Sequence, residues 1–247
     1  MPPSQLRPID LEGRVALVTG GSGATAMAIV DLLGSAGAEV AVAGEPGAAL
    51  EQMAIRLGVA TFECDFSDPA QLGGVFTALG ERFGRLDVLV CAHSSQLQPR
   101  PLLEISLEDY RRTVAVNLDS TFFAIQGAGR AMLAGGQGGR IVVVGSCGEF
   151  GSRPAGADFE ASQAALRGLV RAASTDLAPD GVTVNGIVHG PLRPPRSEDD
   201  YEEQGTRPTD RARLLAEPAD VARAVLWLVD PENSYVSASI VTVDGGR

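Results

Sequence analysis

A chain of 247 residues, 45% of them hydrophobic, is long enough to bury one large core and of ordinary size for a single α/β sheet protein. Its formal charge of −11 argues against nucleic acid and anionic membrane as partners, since both would repel it. The longest apolar runs, 141–145 and 225–229, are too short to span a bilayer, and the first residues carry no signal-peptide core. Cys64, Cys91 and Cys147 are an odd set without close pairing, which suits free thiols in a reducing cytoplasm, and two distant histidines give no metal-ligand cluster.

Along the chain, short apolar runs alternate with longer segments of helical spacing. Strands are expected at Val15–Thr19, Glu39–Ala43, Ala60–Cys64, Val88–Ala92, Arg140–Gly145, Val182–Val188 and Ile240–Val243. Helices are expected at Ala26–Ala36, Pro69–Phe83, Ser106–Met132, Phe159–Leu177 and Pro218–Val229. Strands that are apolar throughout, rather than alternating, belong to a parallel sheet covered on both faces. Right-handed crossovers then give a doubly wound, Rossmann-type α/β sheet of seven strands with helices on both faces, in one domain spanning 1–247. Residues 190–216, rich in Pro, Arg and acid, follow a strand's C-terminal end and read either as a lid over the ligand crevice or as a solvated insertion.

Several segments resemble the short-chain dehydrogenase/reductase family. They are LEGRVALVTGGSG at 11–23, Cys64-Asp65-Phe66, LDVLV at 86–90, VAVNLDSTFF at 114–123, GRIVVVGS at 139–146, VTVNGIVHG at 182–190, EPADVARAVLWL at 217–228 and VDGG at 243–246. The resemblance covers nearly the whole chain and implies a nicotinamide cofactor with an Asn, Ser, Tyr, Lys catalytic set. The family's phosphate loop places its later glycines where this chain has Ala24 and Ala26, so Gly20, Ser22 and Gly23 read as a vestigial cofactor loop. At the end of the second strand Gly44 stands where an NAD-selecting acid would lie, and Glu45 either would repel a 2′-phosphate, favouring NAD, or is a solvated residue at a helix start. Asp65 matches an adenine-contacting position, or serves turn geometry alone. The Asn-Asn-Ala-Gly expected after the fourth strand is replaced by Cys91-Ala92-His93-Ser94.

The catalytic set is half present. Ser146 and Asn117 match, but the tyrosine position is Phe159 and the lysine position, four residues later, is Gln163. Phe has no proton to exchange, and Gln supplies no charge to lower a phenol's pKa; general acid–base catalysis is worth roughly 10²–10⁴-fold. Pro194 falls near a threonine position that would touch the nicotinamide. These losses predict a chain without its own hydride transfer and without a required cofactor, retaining weak NAD(H) binding at most. The first expectation is therefore a non-catalytic subunit, a homo-oligomer or a hetero-oligomer with an active family member, assembled through the two long helices. A second is a non-redox catalyst (cyclase, isomerase or lyase) acting on a small molecule with Ser146, His93 and His189, near Cys147, Glu149 and Glu160. The bland reading of both histidines is that they hydrogen-bond loop backbone. A third expectation is an atypical NAD(H)-dependent oxidoreductase.

Overall fold

The computed structural model describes residues 7–21, 23–94, 100–146, 156–192 and 215–246. Seven strands form one parallel sheet: β1 (Val15–Thr19), β2 (Glu39–Gly44), β3 (Ala60–Glu63), β4 (Val88–Cys91), β5 (Gly139–Ser146), β6 (Val182–His189) and β7 (Ile240–Val243). Their spatial order is β3-β2-β1-β4-β5-β6-β7, so the direction of winding reverses between β1 and β4. The helices are α1 (Ala24–Ser35), α2 (Ala48–Leu57), α3 (Pro69–Phe83), α4 (Leu107–Val114), α5 (Ser120–Gly135), α6 (Ala157–Leu177) and α7 (Pro218–Val229). The expected seven-stranded, doubly wound Rossmann-type sheet is what the chain forms.

Alternate side chains of the apolar strands feed two cores. Leu17, Leu89, Ile141 and Val143 pack with Leu72, Ile125 and Leu166 from α3, α5 and α6. Ala16, Val18, Val90 and Val142 pack on the opposite face with Ile29, Met53 and Val225 from α1, α2 and α7. A strand buried on both faces has no polar side, which is why the sequence showed continuous apolar runs.

Two elements go beyond expectation. Helix α2 is anticipated in the sequence only as a start near Glu45, without bounds; Leu50 and Met53 are buried on one face and Gly58 closes it in the left-handed region at φ 64°. The segment read as one helix from Ser106 to Met132 is interrupted by a π-helical turn at Ala115–Asp119. Such a turn adds a residue to the helical repeat and re-aims the side chains it carries, here Val116 and Asn117. Of the 190–216 segment, Leu192 and Ala216 meet in a parallel bridge, so its two ends lie together; 193–214 fall outside the described residues. Among the described residues no helix is long and apolar enough to cross a membrane.

Candidate active site

The C-terminal ends of β1, β4, β5 and β6 open on a cleft of about 420 Å³ at the point where strand order reverses, the usual ligand position in such sheets. Its walls include Gly20, Glu45, Phe66, His93, Ser146 and His189.

The loop side is built around backbone proximity. Gly20 sits at φ +98°, and a Cβ there would lie 2.6 Å from the Ala92 carbonyl oxygen. Its N–H donates to the Ala43 carbonyl at 2.9 Å, so three adjacent strand ends meet at this glycine. A Cβ on Gly44 would stand 3.0 Å from Leu50 Cδ1 and 3.2 Å from the Gly21 amide nitrogen, so a side chain at position 44 would press on both the loop and α2. The next residue, Glu45, is exposed and lines the cleft. Helix α1 begins at Ala24 with no side-chain cap and no acid in its first turn, leaving its leading N–H groups and partial positive charge for an anion. Ala24 is exposed, whereas Ala26 is buried and packs in the core beneath α1. These features fit the phosphates of a dinucleotide. Ser22 lies outside the described residues, and Gly23 is the extended residue preceding α1.

Asp65 is exposed and turned onto its own loop, accepting from the Ser67 N–H at 2.8 Å and the Ser67 hydroxyl at 2.7 Å. Those bonds, the hydroxyl's first, hold its carboxyl below the usual carboxylate range. The turn is thus a sufficient use for Asp65.

His93 is buried, with both ring nitrogens engaged by the fold. Nδ1 lies 2.5 Å from the Thr19 hydroxyl, Nε2 bonds the Ser120 hydroxyl, and the ring stacks on Phe66 at 4.4 Å. Burial pushes its pKa down to about 4. The side chain therefore ties β1, beside Gly20, to the start of α5. Ser120 and Thr121 in turn bond the carbonyls of Val116 and Asn117 within the π-helical turn. Asn117 is buried, and its Nδ2 donates to Ser162 Oγ at 2.9 Å, while Ser162 donates to the Phe159 carbonyl at 2.7 Å. Asn117 is thus tied to the first turns of α6, behind the cleft wall.

Phe159 stands in the first turn of α6, half-buried. Gln163 is buried and its Oε1 accepts the Ser146 backbone N–H at 2.9 Å, so this side chain is turned onto the end of β5. Ser146 pairs in register with His189 at the end of β6. His189 Nδ1 lies 2.8 Å from the Gly190 carbonyl oxygen, and burial lowers the imidazole pKa. His93, Ser146 and His189 therefore share one cleft. Cys147, Glu149 and Pro194 fall outside the described residues. Burial raises the Cys64 and Cys91 thiols to about 11 and about 12, so neither is an available nucleophile. Among the described residues no three His, Cys, Asp or Glu side chains are grouped to hold a metal ion.

Sequence reasoning missed the Thr19–His93–Ser120 chain, the Phe66 stacking and the Asn117–Ser162 bond. The available signal was the Ser120-Thr121 pair directly after VNLD, two hydroxyls one helical turn beyond Val116 and Asn117.

A family model described as enoyl-(acyl carrier protein) reductase matches residues 23–247. A short-chain dehydrogenase/reductase of Armillaria gallica is 33% identical, covering 95% of this chain and 96% of its own. The 2,5-dichloro-2,5-cyclohexadiene-1,4-diol dehydrogenase of Sphingobium indicum is 30% identical (96% and 98% covered), as is the L-2,3-butanediol dehydrogenase of Corynebacterium glutamicum (94% and 98%). The crystal structure of a short-chain dehydrogenase/reductase from Mycobacterium marinum superposes with a TM-score of 0.85 at 26% identity, covering 97% and 96%. These names correct three expectations drawn from Phe159 and Gln163. Relatives matched end to end are dehydrogenases and reductases, so a non-catalytic subunit and a non-redox catalyst lose their footing as leading readings. The expectation that no cofactor is required falls with them, because removing hydrogen from an alcohol requires a hydride acceptor. The absent tyrosine and lysine remove one proton route, whereas the fold and the ligand cleft are separate properties of the chain. This chain belongs to the short-chain dehydrogenase/reductase family.

Proposed function

We propose that the protein is an atypical oxidoreductase that interconverts a secondary alcohol and a ketone with a nicotinamide dinucleotide, acting on a small diol or polyol. The observation that carries this reading is the continuous cleft from Gly20 and the uncapped start of α1 to Ser146 and His189. Two relatives named for diols support the substrate class.

The dinucleotide, when bound, supplies a site that accepts or donates hydride. The chain's own residues do the rest. Gly20 and the first turn of α1 would hold the phosphates by close backbone approach and the helix's leading N–H groups. Glu45 lines the cleft just after β2, and its carboxylate would repel a 2′-phosphate bound there, which favours the non-phosphorylated dinucleotide. The Ser146 hydroxyl, set at the end of β5, donates to the substrate oxygen and orients the carbinol carbon. Gln163 holds the Ser146 backbone in place through its N–H, and supplies no charge.

The test is a spectrophotometric screen of diols and polyols with NAD and NADP, following reduced-nicotinamide absorbance. Turnover with NAD and a preference for it over NADP of about tenfold or more is expected, shrinking in Glu45→Ala. Absence of turnover with every diol and either dinucleotide overturns the reading.

A further inference from the structure

A reductase needs a group that exchanges a proton with the substrate oxygen, and position 159 has none to offer. Of the titratable side chains lining the cleft among the described residues, Glu45 follows β2, on the far side of β1 from Ser146. His93 is buried with Nδ1 on Thr19 and Nε2 on Ser120. His189 differs from both. It ends β6 directly beside Ser146, their positions paired across the two strands, and it is only half-buried.

Its ring is also pre-set. A carbonyl oxygen can only accept, so the 2.8 Å contact to Gly190 places the proton of the neutral ring on Nδ1 and leaves the Nε2 lone pair as an acceptor. The Gly190 carbonyl is itself fixed, since the Gly190 N–H donates to the Val243 carbonyl at 2.9 Å on β7. The base and the hydroxyl that would share the substrate oxygen therefore end two adjacent strands, β6 and β5, and the orienting carbonyl that follows β6 is tied to a third, β7.

We propose that His189 Nε2 is the proton acceptor and donor for the substrate oxygen, in place of the group absent at Phe159. The inference rests on the oxidoreductase reading above. In the oxidative direction the alcohol O–H proton passes to Nε2 as the C–H hydride, with its electron pair, leaves the same carbon for the nicotinamide. The C=O bond forms, and the imidazolium then releases its proton to solvent. Reduction is the reverse. Desolvation keeps the free ring neutral near pH 7, the form required of a base. The ionisable groups near it are Asp244 just after β7, Glu160 on α6, and His93 and Glu45 across the cleft.

Two variants and one spectroscopic measurement test this. In His189→Asn the Asn amide can keep the Nδ1-like bond to Gly190 but has nothing at Nε2. It should lose on the order of 10²-fold in kcat/KM with the diol while its affinity for NAD stays within about twofold. Its pH profile should also lack the acid limb expected in wild type on the acid side of the ordinary imidazole value, the direction in which burial shifts His189. In His189→Ala, added imidazole should restore part of the rate, which a merely structural histidine would not allow. Independently of turnover, the imidazole nitrogen NMR of this two-histidine chain should show His189 as the neutral Nδ1–H tautomer at neutral pH. Wild-type kcat/KM in His189→Asn, or a protonated or Nε2–H ring, overturns the proposal while leaving the oxidoreductase reading intact. A wild-type enzyme that turns over no diol overturns that reading, and this proposal with it.

Discussion

Gln163 Oε1 accepts the Ser146 N–H at 2.9 Å, so the residue at the family's lysine position braces the strand end that carries the serine. Gln163→Lys removes that acceptor and places an ammonium in a buried position. The orphaned N–H and the desolvated charge should together cost about 1–3 kcal/mol. Thermal unfolding should show a melting temperature lower by roughly 2–4 °C per kcal/mol for a domain of this size. An unchanged melting temperature would mean that the bond contributes nothing, and that the position tolerates the family's residue freely.

The loop glycines should separate into essential and dispensable positions. Gly20→Ala combines φ +98° with a Cβ 2.6 Å from the Ala92 oxygen, whereas a Cβ on Gly23 meets nothing within 4 Å. Gly20→Ala is expected to lose about 1–3 kcal/mol of stability and tenfold or more in dinucleotide affinity. Gly23→Ala should stay near wild type in stability. Calorimetric titration with NADH and thermal unfolding of the pair measure the contrast directly.

Protonation of His93 should govern part of the acid sensitivity. Burial puts its folded pKa at about 4 against an ordinary 6.5. Between those values the unfolded chain binds a proton that the folded chain refuses, so stability is complete above pH 6.5 and falls as pH drops toward 4. The loss should reach about 2 kcal/mol by pH 5. Urea unfolding at about pH 7 and about pH 5 should show that difference in wild type and less of it in His93→Gln, whose amide never titrates. His189 is also depressed by burial and acts in the same direction, so the comparison is between proteins at each pH.

A second charge centre lies at the opposite, N-terminal end of the sheet, away from the cleft. Asp87 accepts from Arg85 at 2.8 and 2.6 Å, from the Val15 N–H at 2.9 Å and from Arg14 at 3.0 Å. Burial alone would raise its pKa, but these donors outweigh burial and lower it. The stabilisation is therefore present above the ordinary carboxylate value and is lost as pH falls through the folded pKa. Asp87→Ala leaves a buried N–H without its partner and should cost about 2–3 kcal/mol, toward the lower end because both arginines are partly exposed. Because the site is remote from the cleft, KM for NAD should be unchanged in the folded variant; a raised KM would show that the two ends of the sheet are coupled.

The fold was legible because its signals were local and redundant. The run Val15–Thr19 is apolar on both faces, and Asp68-Pro69 announces α3 with an N-cap that accepts from Ala70 at 2.9 Å. Helix α2 was harder to see, since only Leu50 and Met53 are buried along it. The π-helical turn at 115–119 was invisible because it is stabilised by non-local partners: Asn117 reaches Ser162, and Ser120 reaches His93, 27 positions earlier in the chain. Site positions could be read from sequence, but their uses could not. Motif comparison registered Phe159 and Gln163 as losses, while the crowding of Gly44 by the loop and α2, the bond from Gln163 to Ser146 and the different settings of His93 and His189 exist only once the sheet assembles.

The most direct test of hydride transfer follows the hydrogen itself. Wild-type protein is incubated with NAD and 2,3-butanediol deuterated at its carbinol carbons, alongside other carbinol-deuterated diols, and the recovered nicotinamide is examined by NMR and mass spectrometry. Deuterium at C4 of the reduced ring, formed in step with the ketone and more slowly in Gly20→Ala, is the predicted result. Folded wild-type protein that moves no deuterium to the ring from any of these diols would contradict the account.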